Sequence, residues 1–162
     1  MKKDFDGIDL QGADLSDTGL SSVRLAKGNL DGANLSGARL KAADLSGASL
    51  RGANLREANL SGASLYETDL SNADLSGAQI VQASVQGAIL RGANLSGANL
   101  DLTDITSADL TNANLQRAEL IDATFYAADL SGADFQGADT SEADLEQGRL
   151  EKTTLPDETQ SG

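Results

Sequence analysis

The chain has 162 residues, of which 40% are hydrophobic but only 3% aromatic, and it carries a formal net charge of −13. It contains neither Cys nor His, which removes disulfides, thiolate or imidazole metal sites, and His-based acid–base or triad chemistry from consideration. The negative charge disfavours contact with nucleic-acid phosphates and suits a basic partner.

At the start, MKKDFDGIDL places no apolar run behind its two lysines, so it does not read as a signal peptide. No segment approaches the roughly 20 apolar residues of a membrane helix. A cytoplasmic protein with no membrane contact is the expectation. From Phe5 to Leu155 an apolar residue falls at every fifth position without a slip, 31 positions in all, and only Thr140 is not Leu, Ile, Val or Phe. This period matches neither a strand nor an α-helix. It marks an internal repeat over residues 1–155, followed by a short polar tail at 156–162.

Each position around the apolar centre has its own character. Two before it sits a small residue, usually Ala, with Thr at Thr18, Thr68 and Thr103. One before it, Asp or Asn fills 19 of the 31 places, and two after it Gly fills 13. The centre and the small residue are expected to point inward, since only a small side chain fits beside a leucine in a narrow tube. Gly permits the positive φ of a tight turn, and the neighbouring Asp or Asn can hydrogen-bond nearby backbone. Each unit is then a short extended piece and a corner. Between Leu102 and Ala127 the corners lack Gly; a different turn geometry, able to bend the rod, is expected there.

The units GADL, GANLSGARL, GANLREANL and GADFQGAD resemble the A(D/N)LXX consensus of the pentapeptide-repeat family. The resemblance covers residues 3–155. It implies an all-β fold, a right-handed quadrilateral β-helix with four units per coil and about 7–8 coils, in a rod roughly 37 Å long at the ordinary strand spacing. It also implies a non-enzymatic scaffold without cofactors, whose flat faces meet a protein partner. The alternative it carries is a mimic of DNA that binds DNA gyrase and gives quinolone protection. Relatives of that kind have a C-terminal dimerisation segment and projecting loops that this sequence lacks. With neither end visibly capped, the expected state is a monomer or a weak end-to-end oligomer.

With four units per coil, residues 20 apart share a column. Val81 and Ile121 then share one, with Asp101 between them and Leu102 beside it; Tyr66 and Tyr126 share another. Arg39 and Lys41 fall on the same side as Val81 and Ile121. Residues 18–100 have a net charge of +1, whereas residues 101–162 have −11. Part of that excess, Asp101, Asp122, Glu142 and Glu146, is expected outside the turn position that the repeat reserves for Asp. These nine residues, the five apolar or aromatic and the four acidic, form the candidate contact surface.

Overall fold

A computed structural model of the chain describes residues 3–156. Residues 1, 2 and 157–162, including all but the first residue of the expected tail, lie outside the described residues. The backbone forms the expected right-handed quadrilateral β-helix. Its bridges are all parallel and join residues twenty apart, from Asp4↔Arg24 to Asp134↔Thr154. Four five-residue units therefore make one coil. We number the faces by their inward centres: face 1 carries Phe5, Leu25 and onward to Leu145, face 2 begins at Leu10, face 3 at Leu15 and face 4 at Leu20.

The core is a column of side chains with no layer behind it. Every centre from Leu25 to Phe135 is almost wholly buried, and so are the alanines two before them from Ala33 to Ala133. Thr68 and Thr103 occupy alanine positions at full burial, and each hydroxyl donates to a centre carbonyl one coil below, Leu45 O at 2.8 Å and Ile80 O at 2.9 Å. Thr18, in the first coil, turns instead to Leu15 O of the preceding unit in the same coil. A buried hydroxyl without such a bond is costly. At the last coil Thr140 is half-buried, and its carbonyl closes the turn to Ala143 N.

In the second to sixth coils, four of the five N–H groups of each unit find backbone acceptors. In the second coil, Leu30 N donates to Ser49 O and Gly32 N to Arg51 O, both one coil up; Asn34 N donates to Ala13 O one coil down; Ala33 N closes the corner on Leu30 O. The fifth N–H, on the residue after the centre, has no backbone partner in this scheme. The Asp or Asn before the centre supplies one: Asp14 Oδ1 accepts from Ser16 N at 3.1 Å, Asn34 Oδ1 from Ser36 N at 3.2 Å, Asp109 Oδ1 from Thr111 N at 3.1 Å. All 19 Asp and Asn residues at this position make that bond. The composition of the repeat thus follows from one amide that the coil-to-coil ladder cannot reach.

Corners without glycine keep the same turn. The second corner residue has φ between +53° and +58° at the sixteen non-glycine positions, Leu102 to Ala127 included, and between +62° and +70° at the glycines. The centre-to-third-residue hydrogen bond and the single positive φ are those of a type II turn. The expected change of corner geometry between Leu102 and Ala127 does not occur, because the ladder bonds on both sides dictate φ more strongly than the residue's own preference.

One corner does depart. Leu145–Gln147 is a short 3-10 turn capped by the Asp144 side chain, and the bridge that would join Thr124 to Asp144 is absent. Ala127 N takes Gln147 O in place of the carbonyl one residue earlier. The ring of Phe125, packed edge-on against Phe135 at 6.2 Å between centroids, fills the level beneath Leu145.

Along face 3 the outward column reads Asp14, Asn34, Asn54, Asp74, Asn94, Asn114, Asp134. Its amides donate downward: Asn34 Nδ2 to Asp14, Asn54 Nδ2 to Asn34, Asn94 Nδ2 to Asp74, Asn114 Nδ2 to Asn94, at 3.0–3.3 Å. Between Asn54 and Asp74 the ladder is interrupted, and Arg56 Nη1 reaches Asp74 at 3.3 Å.

Two stability changes follow. Leu75→Ala, at a fully buried centre, should lower the unfolding free energy by about 2–5 kcal/mol in guanidinium titration. Ala127→Gly should raise it by about 0.5–1 kcal/mol, since relief of a left-handed alanine exceeds the entropy cost of glycine; an unchanged or lower midpoint would show that the corner is unstrained.

Candidate functional site

Two corners border face 1 and collect the nominated residues. The corner from face 4 to face 1 (corner 4/1) carries Lys41, Val81, Asp101, Leu102, Ile121, Asp122 and Glu142. The corner from face 1 to face 2 (corner 1/2) carries Tyr66, Tyr126 and Glu146. Tyr126 is 65% exposed and Leu102 52%, and Tyr66 and Ile121 are less so at 45% and 37%. Val81 is half-buried rather than free. Two coils and Asp101 separate Val81 from Ile121, so the apolar residues form a broken line along the corner and not a continuous patch.

The four nominated carboxylates are not outside the turns. Asp101, Asp122 and Glu142 occupy the corner pairs themselves, and Glu146 lies in the 3-10 turn. Asp101 also has a structural task. Ile121 lies two residues after Glu119, which has no Asx oxygen to offer, and its N–H is accepted at 2.9 Å by Asp101 Oδ1 from the coil below. The same substitution occurs at Ala26, capped by Asp6, and at Arg51, capped by Asp31. An Asp at the first corner position thus replaces a missing Asx one coil above. By contrast, the N–H groups of Lys41, Tyr66, Val81 and Tyr126 have no acceptor among the described residues.

The sequence reading overlooked Ile89. It stands in the outward column of face 2 between Asp69 and Asp109, and is 37% exposed. Its signal is an apolar residue where Asp or Asn is the rule.

Five arginines elsewhere pair within the chain. Arg24 pairs with Asp4 and Asp6, Arg51 with Asp31, Arg56 with Asp74, Arg91 with Asp109 at 2.5 Å, and Arg149 with Glu151 at 2.8 Å. Among the described residues, Arg39, Lys41, Asp122 and Glu142 form no ion pair. Seven turn carboxylates, Asp14, Asp74, Asp104, Asp109, Asp129, Asp134 and Asp139, are held below the usual range. For Asp14 and Asp139 the serine hydroxyl two residues on, with its N–H, is the cause. For Asp109 partial burial raises the value, but the Thr111 hydroxyl, the Arg91 guanidinium and the Thr111 N–H outweigh it. Carboxylates so held are ionised far below neutrality, away from the range of a general base. An open concavity of about 760 Å³ lies over the last described coil, lined by Thr140, Asp144, Leu145, Leu150 and Leu155 among others. No described helix is long and apolar enough to cross a membrane.

The family model for pentapeptide repeats matches the chain over residues 4–41, 38–77, 78–117, 103–139 and 118–155. Among solved structures, HetL, a pentapeptide repeat protein involved in heterocyst differentiation regulation in the cyanobacterium Nostoc, is similar at 30% identity over 96% of this chain and 88% of its own, with a TM-score of 0.34. A pentapeptide repeat protein of the Arabidopsis thaliana thylakoid lumen is 29% identical over 76% of this chain and 69% of its own, with a TM-score of 0.29. QnrB1, a plasmid-mediated fluoroquinolone resistance protein, is 20% identical over 98% of this chain and 84% of its own, with a TM-score of 0.48. No curated protein sequence matches the chain significantly.

The depressed carboxylates set an expected pH response. Their stabilisation is complete above the unfolded value of about 3.9 and is lost as pH falls through the lower folded values. Acid titration should therefore weaken the fold below about pH 4, although the same protons remove net negative charge. Asp14→Asn with Asp139→Asn, which retain an Asx oxygen, should shrink that loss; an unchanged acid midpoint would assign it elsewhere.

Proposed function

The chain belongs to the pentapeptide-repeat family, and from that premise we propose that it is a non-enzymatic scaffold, a rigid rod that offers a protein partner the strip between corners 4/1 and 1/2. One observation carries the reading. The exposed apolar residues Tyr66, Leu102, Ile121 and Tyr126 are gathered on the two borders of one face, and at Tyr66, Val81 and Tyr126 a backbone donor is left open beside them. Apolar surface flanked by unused donors is what a polypeptide partner can cover. Asp122, Glu142 and Glu146 add a negative rim that favours a basic partner and speeds its approach. Residues 1–155 act in this reading as one continuous module.

A second reading, the DNA mimic acting on DNA gyrase, is favoured by the net −11 of residues 101–162. Against it, arginines 51, 56, 91 and 149 pair with carboxylates along faces 2 and 3 and interrupt the negative surface there.

Capture from the native lysate tests the first reading. Tyr66→Ser with Tyr126→Ser should abolish recovery of the partner without lowering the melting temperature by more than a few degrees; a variant that still recovers it would overturn the strip as the contact. A gyrase supercoiling assay tests the second. Neither inhibition nor quinolone protection is expected at micromolar protein, and either result would install the mimic instead.

A further inference from the structure

We propose that corner 4/1 seats a second copy of this chain, packed antiparallel about a two-fold axis at Val81. The proposal deepens the scaffold reading and rests on its view of this corner as a contact surface.

Charge changes sign along the corner. Arg39 and Lys41 lie toward the N-terminal end, Val81 at the middle, and Glu119, Asp122 and Glu142 toward the C-terminal end. Lys41 and Ile121 are each forty residues from Val81, hence two coils, or about 9.6 Å, on either side of it. A two-fold axis through Val81 and across the rod brings Lys41 of one copy level with Ile121 and Asp122 of the other. The same operation sets Arg39 within a fraction of a coil of Glu119. Because the contact is isologous, each pair forms twice.

The alternatives fare worse. A parallel pair would set Lys41 against Lys41 and Asp122 against Asp122, which repel. A basic protein of another kind would satisfy the acidic half and leave Arg39 and Lys41 opposed. Arg39, Lys41, Asp122 and Glu142 have no ion pair among the described residues and are free to meet a second copy, whereas Arg24, Arg51, Arg56, Arg91 and Arg149 are paired within the chain. A strip roughly 34 Å long and one corner wide buries on the order of 400–500 Å² per copy, at the low end of specific interfaces. The dimer is accordingly weak and salt-sensitive.

Sedimentation equilibrium tests this. The wild-type chain should dimerise in the high-micromolar range at low salt, with the association constant falling about tenfold or more toward molar salt. Lys41→Glu alone and Asp122→Lys alone should each be monomeric. Both sites are exposed, and Lys27 and Lys152 already hold the backbone angle required at position 122. An equimolar mixture of the two variants should restore the dimer, because each then meets an opposite charge at both pairs. A monomeric wild type, dimerisation unaffected by either swap, or a mixture that stays monomeric would overturn the proposal. Partner capture through Tyr66 and Tyr126 is read on the monomeric Lys41→Glu variant, which leaves the acidic rim intact, so the scaffold and the dimer fail separately.

Discussion

A backbone that turns a corner every five residues leaves one amide in five aimed away from the coils above and below. The rest of the structure accommodates that amide. Asp and Asn before the centre accept from it, and in three units without an Asx it is accepted from the coil beneath by Asp6, Asp31 or Asp101; at Lys41, Tyr66, Val81 and Tyr126 it stays open among the described residues. At Leu155 the following residue is Pro156, which has no N–H to satisfy. Acidity in this chain is thus partly a by-product of turn chemistry. A carboxylate on the surface does not by itself indicate a basic partner.

The second demand is conformational. Each corner needs one residue at positive φ, and a glycine supplies it without strain. Sixteen other residues supply it as well, each held by ladder bonds on two sides. Tertiary hydrogen bonding therefore overrules local preference, and the corners keep the same positive φ through the glycine-free stretch. The departure at Leu145–Gln147 comes where a phenylalanine ring underlies the corner, at a level the alanine–leucine pattern does not prepare.

Much of this was legible in the sequence. The period gave inside and outside, and the twenty-residue column placed Val81 with Ile121 and Tyr66 with Tyr126. Corner geometry was not legible, because Leu102 and Ala127 adopt an angle that nothing local favours. Nor was the task of Asp101, which caps Ile121 in the next coil because Glu119, two residues before Ile121, offers no Asx oxygen. The half-burial of Val81 arises between stacked neighbours, and no pattern within one unit reports it. Ile89 was visible as an exception to the Asp/Asn rule. It is overlooked when attention stays on corners.

The ladder on face 3 gives the rod a direction. Every amide in it donates toward the N-terminal end, so the side-chain dipoles of Asn34, Asn54, Asn94 and Asn114 add head to tail. A carboxylate can only receive. Asp14 and Asp74 therefore serve as the sinks of two short relays, and a current of polarisation that starts at Asn54 or Asn114 ends there. Asp and Asn, interchangeable as turn acceptors, are consequently unequal along this column: exchanging Asp74 for Asn would splice two relays into one, whereas exchanging Asn34 for Asp would cut the first in half.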